Sequence, residues 1–121
     1  VNATLQIDLF GACCSEYLNG RQYTASGGQL DFVRGAAASE GGKSIIACHS
    51  TAAKGTASRI VARLDGPATT PRNDIHYVVT EHGAANLKGL TDDARARALI
   101  SLAAPEFREG LEREAKAMGL F

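Results

Sequence analysis

No sign of charge predominates in these 121 residues: thirteen lysines and arginines stand against thirteen aspartates and glutamates, with no block of like charge. A surface built to hold nucleic acid or an anionic membrane needs a basic excess, which argues against both as main partners. No apolar run approaches the length of a membrane span, and no basic-then-apolar signal peptide opens the chain. Cysteine is scarce and odd in number, three in all, with Cys13 and Cys14 adjacent. That pattern makes a poor disulfide framework and predicts reduced thiols in a cytoplasmic protein. The three histidines, His49, His76 and His82, lack the i,i+4 or Cys-paired spacing of a zinc site, so no metal is expected. Internal repeats and low-complexity linkers are missing as well.

What is present is material for a core. Hydrophobic residues make up 45% of the chain and charged ones only 21%, enough for one domain or part of one. The first residue is Val1 and a strand-like run begins almost at once, so a piece of a larger polypeptide is expected. Residues 3–9 alternate apolar and polar and predict a half-buried strand. Residues 11–25 are small and polar and predict a long functional loop. Leu30, Val33 and Ala37 recur at helical spacing, with Gly41-Gly42 as the stop. Strands are expected at 44–48, at 57–64 with Arg59 and Arg63 opposite Ile60, Ala62 and Leu64, and at 75–80. Thr91-Asp92-Asp93 opens a second helix. Pro105 opens a third, striped by Phe107, Leu111, Ala115 and Met118, with Glu109–Arg113 and Glu112–Lys116 as i,i+4 pairs. The fold class predicted is α/β, a sheet covered by helices.

The chemistry concentrates at Ser26-Gly27-Gly28-Gln29. Ser26 and Gln29 have the capping-box spacing, and two glycines inside such a cap leave peptide N–H groups uncovered at the positive end of the helix dipole. Such a segment is a plain helix start or a place to hold an anion or developing oxyanion. Gly41-Gly42-Lys43-Ser44 imitates a P-loop and fails as one. Ala37 stands where the first glycine belongs, and a strand follows in place of a helix. Lys54, on a polar loop after a strand, fits either a phosphate contact or a solvated surface lysine. Cys48 and His49, adjacent on a strand, point to opposite faces and make no nucleophile–base pair. Cys48 reads as core packing, His76 as a polar strand neighbour, and Glu81 as an anchor for the loop that follows it.

Taken in order, several segments carry a resemblance: Glu16 to Tyr23, Ser26 to Ala36, Gly41 to Ile46, Ser50 to Gly55, Thr69 to Gly83, and Ala104 to Arg108. Together they resemble the C-terminal part of the acetyl-CoA hydrolase/transferase family, class I CoA-transferases that include 4-hydroxybutyrate, succinyl and butyryl CoA-transferases. The resemblance covers essentially residues 1–121. It implies exchange of CoA between an acyl-CoA and a small carboxylate, with the CoA thioester as substrate and no permanently bound cofactor. It also implies partners: the remainder of the same enzyme and further copies in a homo-oligomer.

In the resembled family a glycine of the Gly27-Gly28 loop supplies an N–H to the thioester oxyanion, and neighbouring residues line the CoA channel. Gln29 and Lys54 are the further CoA-binding candidates. The family nucleophile, a glutamate that forms a glutamyl–CoA thioester, lies upstream of the matching segment. None of Glu16, Glu40, Glu81, Glu106, Glu109, Glu112 or Glu114 inherits that role, and the N-terminal domain is expected outside this chain. The rival expectation is a non-catalytic α/β domain binding a nucleotide or phosphorylated ligand at the same cap. A cysteine-dependent thiol hydrolase is the weaker third.

Overall fold

A computed structural model describes residues 1–121. Short apolar runs become the parallel centre of a four-stranded sheet. β1 (Asn2–Ala3) pairs in parallel with β6 (Ile45–Ala47), and β6 pairs in parallel with β10 (Tyr77–Thr80). A tight return at Glu81-His82 then adds β11 (Gly83–Asn86) antiparallel at the edge. A second sheet sets β2 (Gln6–Asp8) between β3 (Cys13–Cys14), antiparallel, and β9 (Ile60–Val61), parallel. Two hairpins complete the strands: β4 (Tyr17–Leu18) with β5 (Arg21–Gln22), and β7 (Thr51–Ala52) with β8 (Ala57–Ser58).

Parallel neighbours need crossovers, and the helices supply them or cover them. α1 (Gln29–Ala38) follows β1 and precedes β6. Its first residue bonds Ala3 at the end of β1, while Phe32, Gly35 and Ala36 lie beside Val1, Asn2 and Ser44 at the strand beginnings. α1 therefore runs back against the strand direction, and its N-terminus sits at the C-terminal edge of the sheet. α2 (Asp92–Leu102) packs on β10, β11 and β9, and α3 (Pro105–Ala117) packs on α2.

One core joins the layers: Ile7, Leu9, Val33, Ile46, Ile60, Ile75, Val78, Leu87 and Leu99 are almost wholly buried. Arg95 stitches its margin. The guanidinium donates to the carbonyls of Phe10 (3.1 Å), Arg72 (3.0 Å) and Leu87 (3.0 Å), three segments far apart in the chain. Gly11 lies against it with φ of 98°, where a Cβ would come within 3.2 Å of the Arg95 side chain.

Several expectations need correction. The strand expected over 3–9 is broken at Thr4-Leu5 and serves two sheets, because Thr4 Oγ1 bonds the carbonyls of Gln6 and Cys14 at the bend. The segment 57–64 likewise splits between β8 and β9. The loop expected over 11–25 contains β3 and a hairpin, held by backbone pairing that small polar side chains do not announce. Glu109 and Arg113 do pair, at 3.0 Å, whereas Glu112 and Lys116 form no ion pair. Other expectations match the fold: Thr91 stands at the N-cap position of α2, although its hydroxyl bonds Asp93 and no backbone N–H, and Pro105 is the first residue of α3.

Candidate active site

The capping box expected at Ser26–Gln29 does not form. Gly28 is the N-cap of α1, with no side-chain cap, and Gln29 is the first helical residue. Two positions too early to reach back, the Gln29 amide turns inward and is buried. Its Nε2 donates to the Ala3 carbonyl (2.8 Å) and Ser15 Oγ (2.9 Å), and its Oε1 accepts from Thr70 Oγ1 (2.9 Å) and Cys13 Sγ (3.2 Å). Every polar atom of that side chain is thus committed to the protein, so its expected place against CoA becomes that of an anchor beneath the loop.

With the cap missing, the N–H groups of Gly27, Gly28, Gln29, Leu30 and Asp31 find no protein acceptor. Gly27 adopts φ of 64° in the left-handed region, with nothing within 4 Å of a Cβ placed there. Gly28 has φ of −104° and only the Phe32 ring, at 3.7 Å, near its would-be Cβ. Both glycines are exposed. Uncovered donors at the positive end of a ten-residue helix form a receptor for negative charge.

At the same edge of the sheet the ends of β1, β6 and β10 diverge around a cleft of about 620 Å³, where open parallel sheets hold ligands. Ala3, Leu5, Cys48, His49, Arg59 and Glu81 are among its walls. Ala3, bonded to Gln29, connects this cleft to the glycine loop. Arg59 donates to the carbonyls of Leu5 (3.2 Å) and Thr51 (3.3 Å), so it belongs to the cleft and not to an outer face. Arg59 was hidden in the sequence by an alternation that only set it opposite the apolar face of Ile60, Ala62 and Leu64.

Glu81 accepts the Ser50 N–H at 2.7 Å and therefore anchors the loop after β6, not the one that follows it in sequence. Hydrogen bonding from Ser50 holds its carboxyl below the usual range. Its oxygens lie 3.7 Å from His49 Nδ1 and 3.9 Å from His82 Nε2. Cys48 is half-buried on the cleft wall rather than sealed in the core, and desolvation pushes its thiol up to about 11. A thiol so reluctant to ionise is a poor nucleophile. His49 turns out to solvent, away from it.

Lys54 projects from the β7–β8 turn in a left-handed conformation, φ 57°, as does Ala53 at φ 50°. Its side chain is exposed and forms no ion pair. The turn rises from the cleft edge, because Ser50 at its foot is held by Glu81 and Arg59. Gly41-Gly42-Lys43-Ser44 leads into β6, a strand and not the helix that a P-loop would need. No group of three or more His, Cys, Asp or Glu side chains is arranged to hold a metal. No helix is long and apolar enough to cross a membrane.

Residues 1–115 match the family model described as acetyl-CoA hydrolase/transferase C-terminal domain. Among curated proteins, the chain is 54% identical to the 4-hydroxybutyrate coenzyme A transferase of Clostridium kluyveri, covering 96% of this chain and 28% of that protein. It is 52% identical to the succinyl-CoA:cyclohexane-1-carboxylate CoA transferase of Geobacter metallireducens, covering 98% and 28%. Among solved structures, RipA from Yersinia pestis superposes with a TM-score of 0.93 at 67% identity, over 99% of this chain and 27% of that one. The 4-hydroxybutyrate CoA-transferase of Porphyromonas gingivalis does so with a TM-score of 0.78 at 45% identity, over 97% and 26%. The chain thus spans little more than a quarter of the length of these relatives.

Proposed function

The chain belongs to the acetyl-CoA hydrolase/transferase family, and on that premise we propose that it is the C-terminal part of an enzyme moving CoA between an acyl-CoA and a small carboxylate. The observation that carries the reading is the row of five N–H groups without protein acceptors at Gly27–Asp31, at the sheet edge where the cleft opens. The two curated relatives described above are named as CoA transferases, which gives the non-catalytic binding domain no support.

In this reading a glutamate outside these 121 residues attacks the thioester carbonyl. The electron pair displaced onto the carbonyl oxygen gives a tetrahedral oxyanion, which the N–H groups of Gly27 and Gly28 stabilise. Collapse expels CoA thiolate and leaves a mixed anhydride. The thiolate then attacks the glutamyl carbonyl, forming the glutamyl–CoA thioester and releasing the carboxylate. The acceptor acid reverses both steps. Covalent catalysis splits one hard transfer into easier ones. The family's glycine-loop role falls on residues whose donors are unspent, which is what the chemistry needs.

Around that centre, the cleft walls from Ala3 to Glu81 hold the substrate's arm, and Lys54 meets a CoA phosphate as a point charge. The partners are an acyl-CoA, a small carboxylate and the rest of the same enzyme, assembled as a homo-oligomer in the cytoplasm. No metal or resident cofactor takes part. The test is direct. The full-length enzyme is incubated with acetyl-CoA and a panel of short carboxylates, and new CoA esters are read by mass spectrometry. Borohydride then traps the enzyme thioester. Exchange with a trapped glutamate upstream of Val1 is expected; exchange trapped at Glu81 or another glutamate of this chain would refute the assignment.

A further inference from the structure

We propose that Glu16 and Gln22 are a positioning pair that sets the pose of the glycine loop; the inference rests on the oxyanion reading of that loop given above. Glu16 is 7% exposed and has no Lys, Arg or His within ion-pair distance. A carboxylate in such a place is costly unless hydrogen bonds occupy its oxygens. Here they do: Oε1 accepts from Thr69 Oγ1 at 2.7 Å, and Oε2 accepts from Gln22 Nε2. The second N–H of the Gln22 amide donates to the Thr24 carbonyl at 2.8 Å. The Glu16 carbonyl accepts the N–H groups of Tyr23 (2.7 Å) and Thr24 (3.2 Å).

Residues 22–24 are therefore bound on every side to one buried residue, immediately before the exposed run Ala25-Ser26-Gly27-Gly28. Gln29 pins the far end of that run with its own four bonds. The loop hangs between two anchored ends. Little in the hairpin's packing explains the burial of a carboxylate, because residues 19–28 are all exposed. What the arrangement does secure is the geometry of a loop whose N–H groups must meet an oxyanion within a few tenths of an ångström.

The chemistry of the pair also favours a carboxylate over an amide at position 16. A glutamine at position 16 could accept from Thr69 but would present N–H groups to the Gln22 amide. Were Gln22 to turn over and offer its carbonyl instead, that oxygen would face the Thr24 carbonyl. Only a glutamine turned the other way keeps both links, and it then donates to Thr69 Oγ1, which already accepts the Ser15 N–H, so the Thr69 hydroxyl proton loses its acceptor.

The test uses the full-length enzyme with Glu16→Gln and, separately, Gln22→Ala, the latter at an exposed position that does not endanger the core. Steady-state kinetics for CoA transfer and melting curves are recorded for both. The expected result is a fall in kcat of about ten- to a hundredfold with KM for the CoA ester within about threefold, and melting within a few degrees of wild type. Folded variants with kcat within about twofold of wild type would overturn the proposal while leaving the oxyanion reading in place. So would losses of activity that merely follow the fraction unfolded. A wild-type enzyme that exchanges no CoA would remove the reading of the loop and this inference with it.

Discussion

At Gly27 and Gly28 the backbone separates two explanations that the sequence alone left joined. Gly28, at φ of −104° and ψ of 14°, lies outside the left-handed region with a loose contact to Phe32, so Gly28→Ala costs the fold little. Gly27→Ala places a side chain at φ of 64°, which costs about 1–2 kcal/mol of backbone strain. If these amides face the thioester oxygen, a methyl added there keeps the N–H but hinders approach or turns the donor away, and a donor so lost should cut turnover of the full-length enzyme about a hundred- to a thousandfold. Gly28→Ala is the cleaner probe: normal melting with turnover collapsed is the expected outcome, and normal turnover would leave a mere helix start. Cys48 supplies a second residue-level check. With its thiol pushed up to about 11, iodoacetamide should modify it slowly at neutral pH, the rate climbing about tenfold per pH unit as alkaline pH raises the thiolate fraction. Mass-spectrometric alkylation across pH measures this. Replacing Cys13, Cys14 and Cys48 together by alanine should lower stability and spare CoA transfer, whereas lost transfer in a folded triple variant would reinstate a thiol mechanism.

Elements with a strong period were legible in advance, and elements made by pairing were not. Pro105 as a first helical residue and the Leu111–Ala115 stripe announce α3 because a long amphipathic helix writes its period into many residues. The β4–β5 hairpin, two residues on each side, writes almost nothing. Besides its backbone pairs it is tied to Glu16, whose partners Thr69 and Gln22 are distant or unremarkable in sequence. The glycine loop and its uncovered N–H groups were visible in the Gly-Gly pair, but the absence of a side-chain cap was not, since the spacing of Ser26 and Gln29 suggested the opposite. The cleft was harder still, because Glu81 reaches it through the parallel pairing of β6 with β10 and Arg59 through that of β2 with β9. A test at this scale lies at the α1–β6 turn. A Cβ on Gly42 would stand 2.1 Å from the Ala36 carbonyl oxygen, which is backbone and cannot swing aside. Gly42→Ala is expected to cost about 1–3 kcal/mol, read from urea unfolding. An unchanged midpoint would show that the turn relaxes freely.

For the whole molecule, one continuous core joins the layers, while the chemistry proposed for it needs residues it does not contain. The 121-residue chain alone should therefore exchange no CoA at an enzymatic rate, as a coupled assay on the purified chain will report. Turnover by the isolated chain would relocate the nucleophile into it. Arg95 carries a different lesson, about time. It is translated after all three carbonyls it satisfies, and the earliest of them, on Phe10, waits for it across 85 residues. A nascent chain that has emerged only as far as Leu90 owns every strand of both sheets yet lacks the stitch and the helix that covers β10 and β11. Ribosome-held chains of stepped length should stay protease-sensitive until α2 has cleared the exit tunnel. The birth of this fold is thus timed by its last helices, and a cell that interrupts synthesis before them is left with a fully stranded but unfinished chain to degrade.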